Sequence, residues 1–262
     1  MIDTRTLRKQ LQCVAGLLLA AAVATGMGAT ATAPAVASME NSLLQRTNAV
    51  REQQGLSPLQ WDDSLAQAAR AHADLVIQNG QLSHQFPGEA GLALRTAQAG
   101  AHFQSVAENI AVGPSVEAIQ NQWMKSPPHR ANILDPGLNA VGFAVVQRGD
   151  FLYAVADFAH AVPSLSPDQV ETAITKLLAS RGLQTNAPRQ DARQTCEMGH
   201  GVAGGSAPRF VERWQSSDLS RLPASLEEEL RNGQYKTAAV GACSSANAES
   251  GFTTYRVAVL LY

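Results

Sequence analysis

An interruption at residues 162–167 most constrains the fold of this chain, because it separates two stretches that each carry helical and strand-like patterns. Pro163 and Pro167 lack the backbone N–H group that a continuing helix or inner strand requires. The chain has 262 residues, and a single hydrophobic core stops growing at roughly 250 to 300 residues. We therefore predict two folded units, residues 40–162 and residues 165–262.

The first unit combines amphipathic helices with strand-like runs. Apolar residues at helical spacing, bounded by capping and turn residues, predict four helices: 40–55, 62–80, 91–98 and 116–124. Short apolar runs predict three strands, of which the last two form a hairpin: 106–112, 141–147 and 151–158. Helices interleaved with a small antiparallel sheet predict an α+β fold, arranged as a three-layer α-β-α sandwich.

The second unit is predicted to be a smaller α+β arrangement whose role no motif identifies. Ser166 and Pro167 suit the N-cap and the first position of a helix that ends at Arg181. A segment rich in glycine, alanine, proline and polar residues, 184–208, is predicted to be a loop. The remaining elements are a strand, a helix and a terminal hairpin: 210–214, 223–232, and 237–243 with 252–261.

Residues 1–37 are typical of an export signal. Basic residues precede a short apolar run at 14–24, and the Ala-Val-Ala sequence at 35–37 offers a cleavage site between small residues. The apolar run is shorter than the roughly 20 residues that span a bilayer. We therefore predict a protein that begins near Ser38, is secreted or lies in the periplasm or cell envelope, and is not an integral membrane protein after cleavage.

Charge and cysteine content narrow the function classes further. The net charge of −2 provides no basic surface for phosphate groups, so we predict no nucleic-acid partner. Cys196 and Cys243 remain after signal cleavage, and an even number of cysteines in an oxidising compartment favours one disulfide. A catalytic Cys196 paired with His200 is the weaker alternative, because an exported thiol with an available partner more often forms a disulfide.

Three motifs in the first unit place imidazole and carboxylate groups at the ends of predicted elements: Leu82-Ser83-His84, Ala107-Glu108-Asn109-Ile110 and Ser126-Pro127-Pro128-His129-Arg130-Ala131-Asn132-Ile133-Leu134. A Trp-bearing helix precedes the third motif, and Val-Gly-Phe and Asp-Phe follow it. In this order the motifs resemble the CAP superfamily, named for cysteine-rich secretory proteins, antigen 5 and pathogenesis-related 1 proteins. The resemblance covers residues 40–160 and is closest to the bacterial SCP-like branch.

The resemblance implies an α-β-α sandwich with an open cavity lined by two histidines and two acids. By motif, His84 and His129 match the histidines, and Glu108 matches the acid of the Glu-Asn motif. The family's other acid follows the aromatic residue of the last helix. Here Trp123 is followed by methionine and Lys125, with no carboxylate, so the fourth position is lost or altered.

Two chemistries suit His84, Glu108 and His129 if they converge. The two imidazoles, with the carboxylate and water, can bind a divalent cation such as zinc, or the group can transfer a proton. Each residue also has a structural interpretation, as a hydrogen-bonding group in a turn or at a helix end. The sequence lacks His-Glu-x-x-His and Gly-x-Ser-x-Gly motifs, so the usual routes to a metallopeptidase or a covalent hydrolase are missing.

The sequence therefore favours an exported, non-catalytic CAP-domain protein that binds a lipid, sterol or protein ligand and requires no cofactor. The alternative is a metal-dependent hydrolase acting on peptides or envelope polymers, in which His84 and His129 hold zinc and Glu108 is the base. A third possibility is a structural envelope protein whose first unit is a rigid scaffold. Metal and lipid binding distinguish the three, because a structural protein binds neither.

Overall fold

The computed structural model describes residues 32–205, 207–244 and 250–262. Most of the predicted export signal, residues 1–31, lies outside the described residues, so the signal stays a prediction. Within the described ranges, no helix has the length and apolar character needed to cross a bilayer.

The first unit contains five helices and four strands among its described residues: α1 (Ala33–Gln53), β1 (Gln60–Trp61), α2 (Asp63–Asn79), α3 (Leu92–Gln98), β2 (Phe103–Gly113), α4 (Val116–Lys125), α5 (Pro127–Ile133), β3 (Ala140–Arg148) and β4 (Phe151–Ala161). The predicted helices and the hairpin are confirmed. Asp62 and Ser115 cap α2 and α4 through their side-chain oxygens, as the sequence indicates. Helix α1 begins before residue 40, and the short strand β1 adds to the predicted elements.

The four strands form one sheet in the order β1-β3-β4-β2, with β1 parallel to β3 and the other pairs antiparallel. Leu65 and Ala69 of α2 pack against one face. Leu43 of α1, Trp123 of α4 and Ile133 of α5 pack against the other. Successive strand residues face opposite sides of a sheet. The apolar residues of these strands therefore supply an apolar surface to the helices on both faces. The predicted α-β-α sandwich is confirmed.

Helix α2 lies unusually close to β3 at Gly142. A Cβ atom at this position would overlap the backbone of Leu65 and Ala66. The missing side chain therefore lets the helix backbone approach the strand directly. This contact fixes the position of α2, and with it the loop that leaves the helix at Gly80, where the backbone is left-handed with a φ of 63°.

The second unit contains three helices and three strands among its described residues: α6 (Pro167–Ser180), α7 (Arg189–Glu197), β5 (Phe210–Ser216), α8 (Ala224–Arg231), β6 (Ala238–Cys243) and β7 (Tyr255–Leu261). Its antiparallel sheet has the order β5-β7-β6. Ser166 and Gln169 form a capping box at the start of α6, which confirms the predicted helix start. The predicted α+β arrangement of this unit is also confirmed.

The prediction of a continuous loop at residues 184–208 is wrong, because α7 occupies its middle. Ala192 and Cys196, four positions apart, are the buried apolar residues of this mostly polar helix. Gly241 of β6 lies beneath α7, and a Cβ atom there would overlap the backbone of Ala192. Packing against a glycine therefore stabilises a helix whose sequence lacks the usual apolar stripe.

The predicted disulfide is present between Cys196 of α7 and Cys243 of β6. Their Cα atoms are 5.8 Å apart, and the bond joins residues separated by 47 positions. It fixes the end of α7 to an edge strand of the second sheet.

The two units contact each other beside β2. Thr253 donates its backbone N–H to the carbonyl oxygen of Phe103 at 2.8 Å, and its hydroxyl accepts the Phe103 N–H at 3.1 Å. The Phe252 ring packs edge-on against Phe103 with ring centres 5.6 Å apart. Gly251 lies directly against the backbone of Ala93 in α3. The second unit therefore supports the elements β2 and α3 of the first.

Candidate functional site

A group of ionisable side chains, which we call the ionisable cluster, lies between the sheet and helices α2 and α3: His72, His84, Glu89, Arg95, Glu108 and Asp157. At its centre, the Glu108 side chain is only 2% exposed. His84 Nδ1 lies 2.7 Å from Glu108 Oε1, and the Arg95 guanidinium donates to Glu108 Oε2. The His84 side chain is 64% exposed, so the cluster presents this imidazole to solvent.

Three elements bring this central trio together. Glu108 lies in β2, directly opposite Asp157 in β4. Arg95 lies in α3, and its Nη1 donates to the backbone oxygen of His84 at 3.2 Å. His84 itself follows α2 in the loop that begins at Gly80. Arg95 therefore holds both the carboxylate and the backbone of the residue that contacts it.

His72 of α2 supports the loop that carries His84. Its side chain is fully buried, with Nδ1 2.5 Å from Glu89 Oε1 and Nε2 2.8 Å from the backbone oxygen of Ser83. Glu89 also accepts the backbone N–H of Phe86 at 2.9 Å. These contacts fix the loop on both sides of His84, so His72 is a structural histidine.

Asp157 is a fully buried carboxyl group with no hydrogen-bond partner among the described residues. Arg95 Nη2 is 3.9 Å from its Oδ1, which is too long for a hydrogen bond. Burial raises the pKa of Asp157 well above its ordinary value, and the negative charge of Glu108 raises it further. The folded protein therefore favours a protonated, uncharged Asp157. Glu108 is then the carboxyl group that pairs with Arg95.

We expect Asp157→Asn to stabilise the protein near pH 7 by about 1 kcal/mol or more, since one pKa unit corresponds to about 1.4 kcal/mol. In the unfolded chain Asp157 ionises near its ordinary pKa of 3.8. The folded wild type therefore loses stability as pH rises from that value to the raised pKa. The asparagine variant does not titrate here, so its advantage should grow across this range and then level off.

Urea unfolding of the wild type and the Asp157→Asn variant between pH 4 and pH 8 tests this expectation. Asp150→Asn, at the exposed turn between β3 and β4, is the matched control. A stability difference for Asp157→Asn that does not change with pH would contradict the protonated carboxyl.

The contact with Glu108 favours the protonated form of the exposed His84 imidazole. The hydrogen bond to Glu108 raises the pKa of His84, against the opposing effects of partial burial and the Arg95 charge. With Nδ1 directed at the carboxylate, Nε2 is the ring atom left for a ligand. Two of the three family-matched residues, His84 and Glu108, are thus in direct contact.

His129, the third family-matched residue, lies in α5 and is half-buried. Asn109 donates to its backbone oxygen at 3.0 Å, while Asn132 donates to Asn109 Oδ1 at 2.8 Å and to the Glu108 backbone oxygen at 3.1 Å. Burial lowers the pKa of His129, and the charge of His84 lowers it further. The two imidazoles therefore influence each other, while His129 has no described hydrogen bond to Glu108.

The donor set fits a metal ion poorly. Over the described ranges of the chain, no group of three or more His, Cys, Asp or Glu side chains is arranged to hold one. Both oxygens of Glu108 already accept hydrogen bonds, one from His84 and one from Arg95. The predicted ligands His84 and His129 are therefore left without the third protein ligand that a catalytic zinc usually has.

Lys125 lies in the stretch where the resemblance implies the family's second acid. Lys125 lies at the end of α4 and, with Arg130 of α5, lines a surface depression of about 460 Å³ on the outer side of these helices. Near the sheet, the carboxyl group of Asp157 reaches the cluster from β4.

Sequence reasoning missed three members of the cluster. Glu89 and Arg95 lie in a loop and a short helix whose sequence has no recognisable motif. Asp157 is detectable in principle, because a carboxyl group inside the apolar run 151–158 predicts a buried acid with a special environment. The charge partner of Glu108 could be found only from the fold.

The part of the chain that contains these features is similar to known proteins. A model of the cysteine-rich secretory protein family, CAP, matches residues 44–158. The uncharacterized protein YkwD of Bacillus subtilis is 34% identical over 132 residues, which are 50% of this chain and 51% of that protein. The uncharacterized membrane protein YlbC of the same bacterium is 31% identical over 110 residues, 40% of this chain and 31% of that protein.

A solved structure is similar to the first part of the chain. An outer surface protein from Borrelia burgdorferi is 20% identical, with a TM-score of 0.47, over 52% of this chain and 99% of that protein. The two Bacillus relatives, by contrast, are matched over about half of their length or less. The family match itself lies within the unit that contains the ionisable cluster.

Proposed function

We propose, because residues 44–158 match a model of the cysteine-rich secretory protein family, that this protein is an extracytoplasmic binding protein whose ligand contacts His84. The observation that carries the proposal is the contrast within one hydrogen-bonded pair. The carboxylate of Glu108 is buried with both oxygens engaged, while its partner imidazole is 64% exposed. The exposed ring is therefore oriented for contact, and the carboxylate serves to orient it.

The contacts of Glu108 argue against a catalytic role for this acid. A general base must accept a proton from a substrate or a water molecule within hydrogen-bond distance. Both oxygens of Glu108 instead accept hydrogen bonds from within the protein, one from His84 and one from the buried Arg95 guanidinium. A carboxylate held in this way is suited to positioning His84.

The surface around His84 suits a ligand with both a polar group and an apolar part. Leu82, two residues before His84, is 43% exposed, and when the His84 imidazole is protonated its Nε2 can donate a hydrogen bond. A sterol hydroxyl or a fatty-acid carboxylate next to a hydrocarbon body combines these features, as does a protein surface with an acidic rim. We place lipids first, because one donor beside one apolar side chain is a small contact area for a protein partner.

We expect His84→Ala to weaken binding of radiolabelled cholesterol or palmitate by about tenfold, the effect of one lost hydrogen bond of about 1.4 kcal/mol. His200→Ala, which removes another exposed imidazole in the second unit, should leave binding unchanged. Equilibrium binding to the purified protein provides the measurement. Equal affinities for the wild type and His84→Ala, or no binding of either probe, would contradict the lipid proposal.

The alternative, a metal-dependent hydrolase using His84, His129 and Glu108, is distinguished by a zinc titration. The binding proposal predicts no saturable rise in melting temperature that depends on the two histidines. A rise abolished by either His84→Ala or His129→Ala would instead support the hydrolase, because a metal bound to the folded state stabilises it.

A further inference from the structure

A small cationic cavity lies in the second unit, beside the disulfide and away from the ionisable cluster. It has a volume of about 210 Å³, and its lining includes Cys196, Met198, Gly199, Arg213, Gln215 and Arg256. Gln215 of β5 is directly opposite Arg256 of β7, and Arg213 lies two positions before Gln215. Because alternate residues share one face of a sheet, these three side chains lie on the same face.

Both guanidinium groups in the cavity are held by backbone carbonyl groups. Arg213 donates to the carbonyl oxygen of Thr195 at 2.8 Å and to that of Gly201. Arg256 donates to the carbonyl oxygen of Cys196 at 3.0 Å and to that of Ser244 at 3.2 Å. Thr195 and Cys196 lie in the last turn of α7, where cations are favourable. These contacts fix the planes of both groups without neutralising their charge.

Neither Arg213 nor Arg256 forms an ion pair with a described carboxylate. Arg193 of helix α7, in the same unit, differs in this respect. Arg193 pairs with both Glu171 and Asp168. Each guanidinium has five N–H donors, and the carbonyl groups named above take two from each. Two positive charges with unused donors therefore lie at one cavity with no described counter-charge.

The geometry points to a binding site for a small oxyanion, a carboxylate or a phosphate group, between Arg213 and Arg256. Planar guanidinium groups recognise such oxygens through paired hydrogen bonds. Their fixed orientation reduces the conformational entropy lost on binding. The amide of Gln215 donates to Thr254 at 2.5 Å, so this side chain is also fixed at the cavity edge. This site lies in the second unit, apart from His84. Its oxyanion would be a second ligand of the protein, beside the one proposed to contact His84.

Gln215→Glu provides the sharpest test, because it adds a carboxylate to the cavity without removing either arginine. A glutamate opposite Arg256 forms a favourable cross-strand pair, so this variant should fold with an unchanged or higher melting temperature. The added carboxylate should occupy the donors that an external anion needs. We therefore expect it to weaken anion binding by about tenfold or more.

Isothermal titration with inorganic phosphate and, separately, with acetate measures binding to the full chain. Saturable binding of either anion to the wild type, lost in both Gln215→Glu and Arg213→Gln, is the expected result. Arg221→Gln removes the same charge from an exposed side chain of this unit and should bind as the wild type does. Competition between the two anions shows which oxyanion the site prefers. The proposal is overturned if neither anion binds saturably, or if folded Gln215→Glu binds as well as the wild type.

Discussion

Arg95→Met will lower the free energy of unfolding by about 3–5 kcal/mol, because it removes the cation of a buried ion pair and leaves the Glu108 carboxyl group behind. The Glu108 side chain is 2% exposed and Asp157 is fully buried. Without the guanidinium, the buried Glu108 side chain would lose one of its two hydrogen-bonded side-chain partners and keep only His84. Methionine keeps most of the volume of the side chain, so the loss reports the missing charge and hydrogen bonds rather than a cavity.

Urea unfolding near pH 7 measures this loss, and two further variants identify its cause. Arg95→Lys keeps the charge but not the planar pair of donors, so it should be intermediate. Combining Arg95→Met with Glu108→Gln removes both charges and should recover part of the lost stability. If the double variant is no more stable than Arg95→Met, the ion pair is not the source of the effect.

Replacing both Cys196 and Cys243 with serine should destabilise the second unit by about 2–5 kcal/mol, the usual effect of losing one native disulfide. The bond closes a loop between residues 47 positions apart, so its loss increases the conformational freedom of the unfolded chain. Helix α7 should be affected first, because it has few other apolar contacts. Hydrogen exchange should show the loss of protection in α7 and β6.

Reduced wild-type protein is the control for the disulfide variant. The two should unfold at the same urea concentration, because both lack only the covalent bond. Amides of α2 and β3 in the first unit should keep their protection. Equal stability of the oxidised and reduced proteins would show that the packing of Ala192 over Gly241 is sufficient to hold α7.

Elements with strong local signals could be predicted from the sequence. Helices α2, α4 and α6 each begin after a capping residue, Asp62, Ser115 or Ser166, whose side chain satisfies a free backbone N–H group. Their apolar stripes have the helical period. The β3–β4 hairpin follows from two apolar runs around a glycine-containing turn. The information for these elements is contained within a few consecutive residues.

Helix α7 and the environment of Glu108 could not be predicted in this way. Helix α7 depends on a glycine and a cysteine from a strand more than 40 positions away. The motif that contains Glu108 indicates a special acid but not its cation, because Arg95 comes from a different element. The motifs indicated that His84, Glu108 and His129 share a cavity, while the buried Asp157 opposite Glu108 required the strand register.

The contact of Gly251 with the backbone of Ala93 has a consequence for the position of Arg95. The same short helix carries Arg95 two positions beyond Ala93, and Arg95 donates to Glu108 and to the backbone oxygen of His84. The C-terminal half therefore helps to support the helix that holds these two residues together.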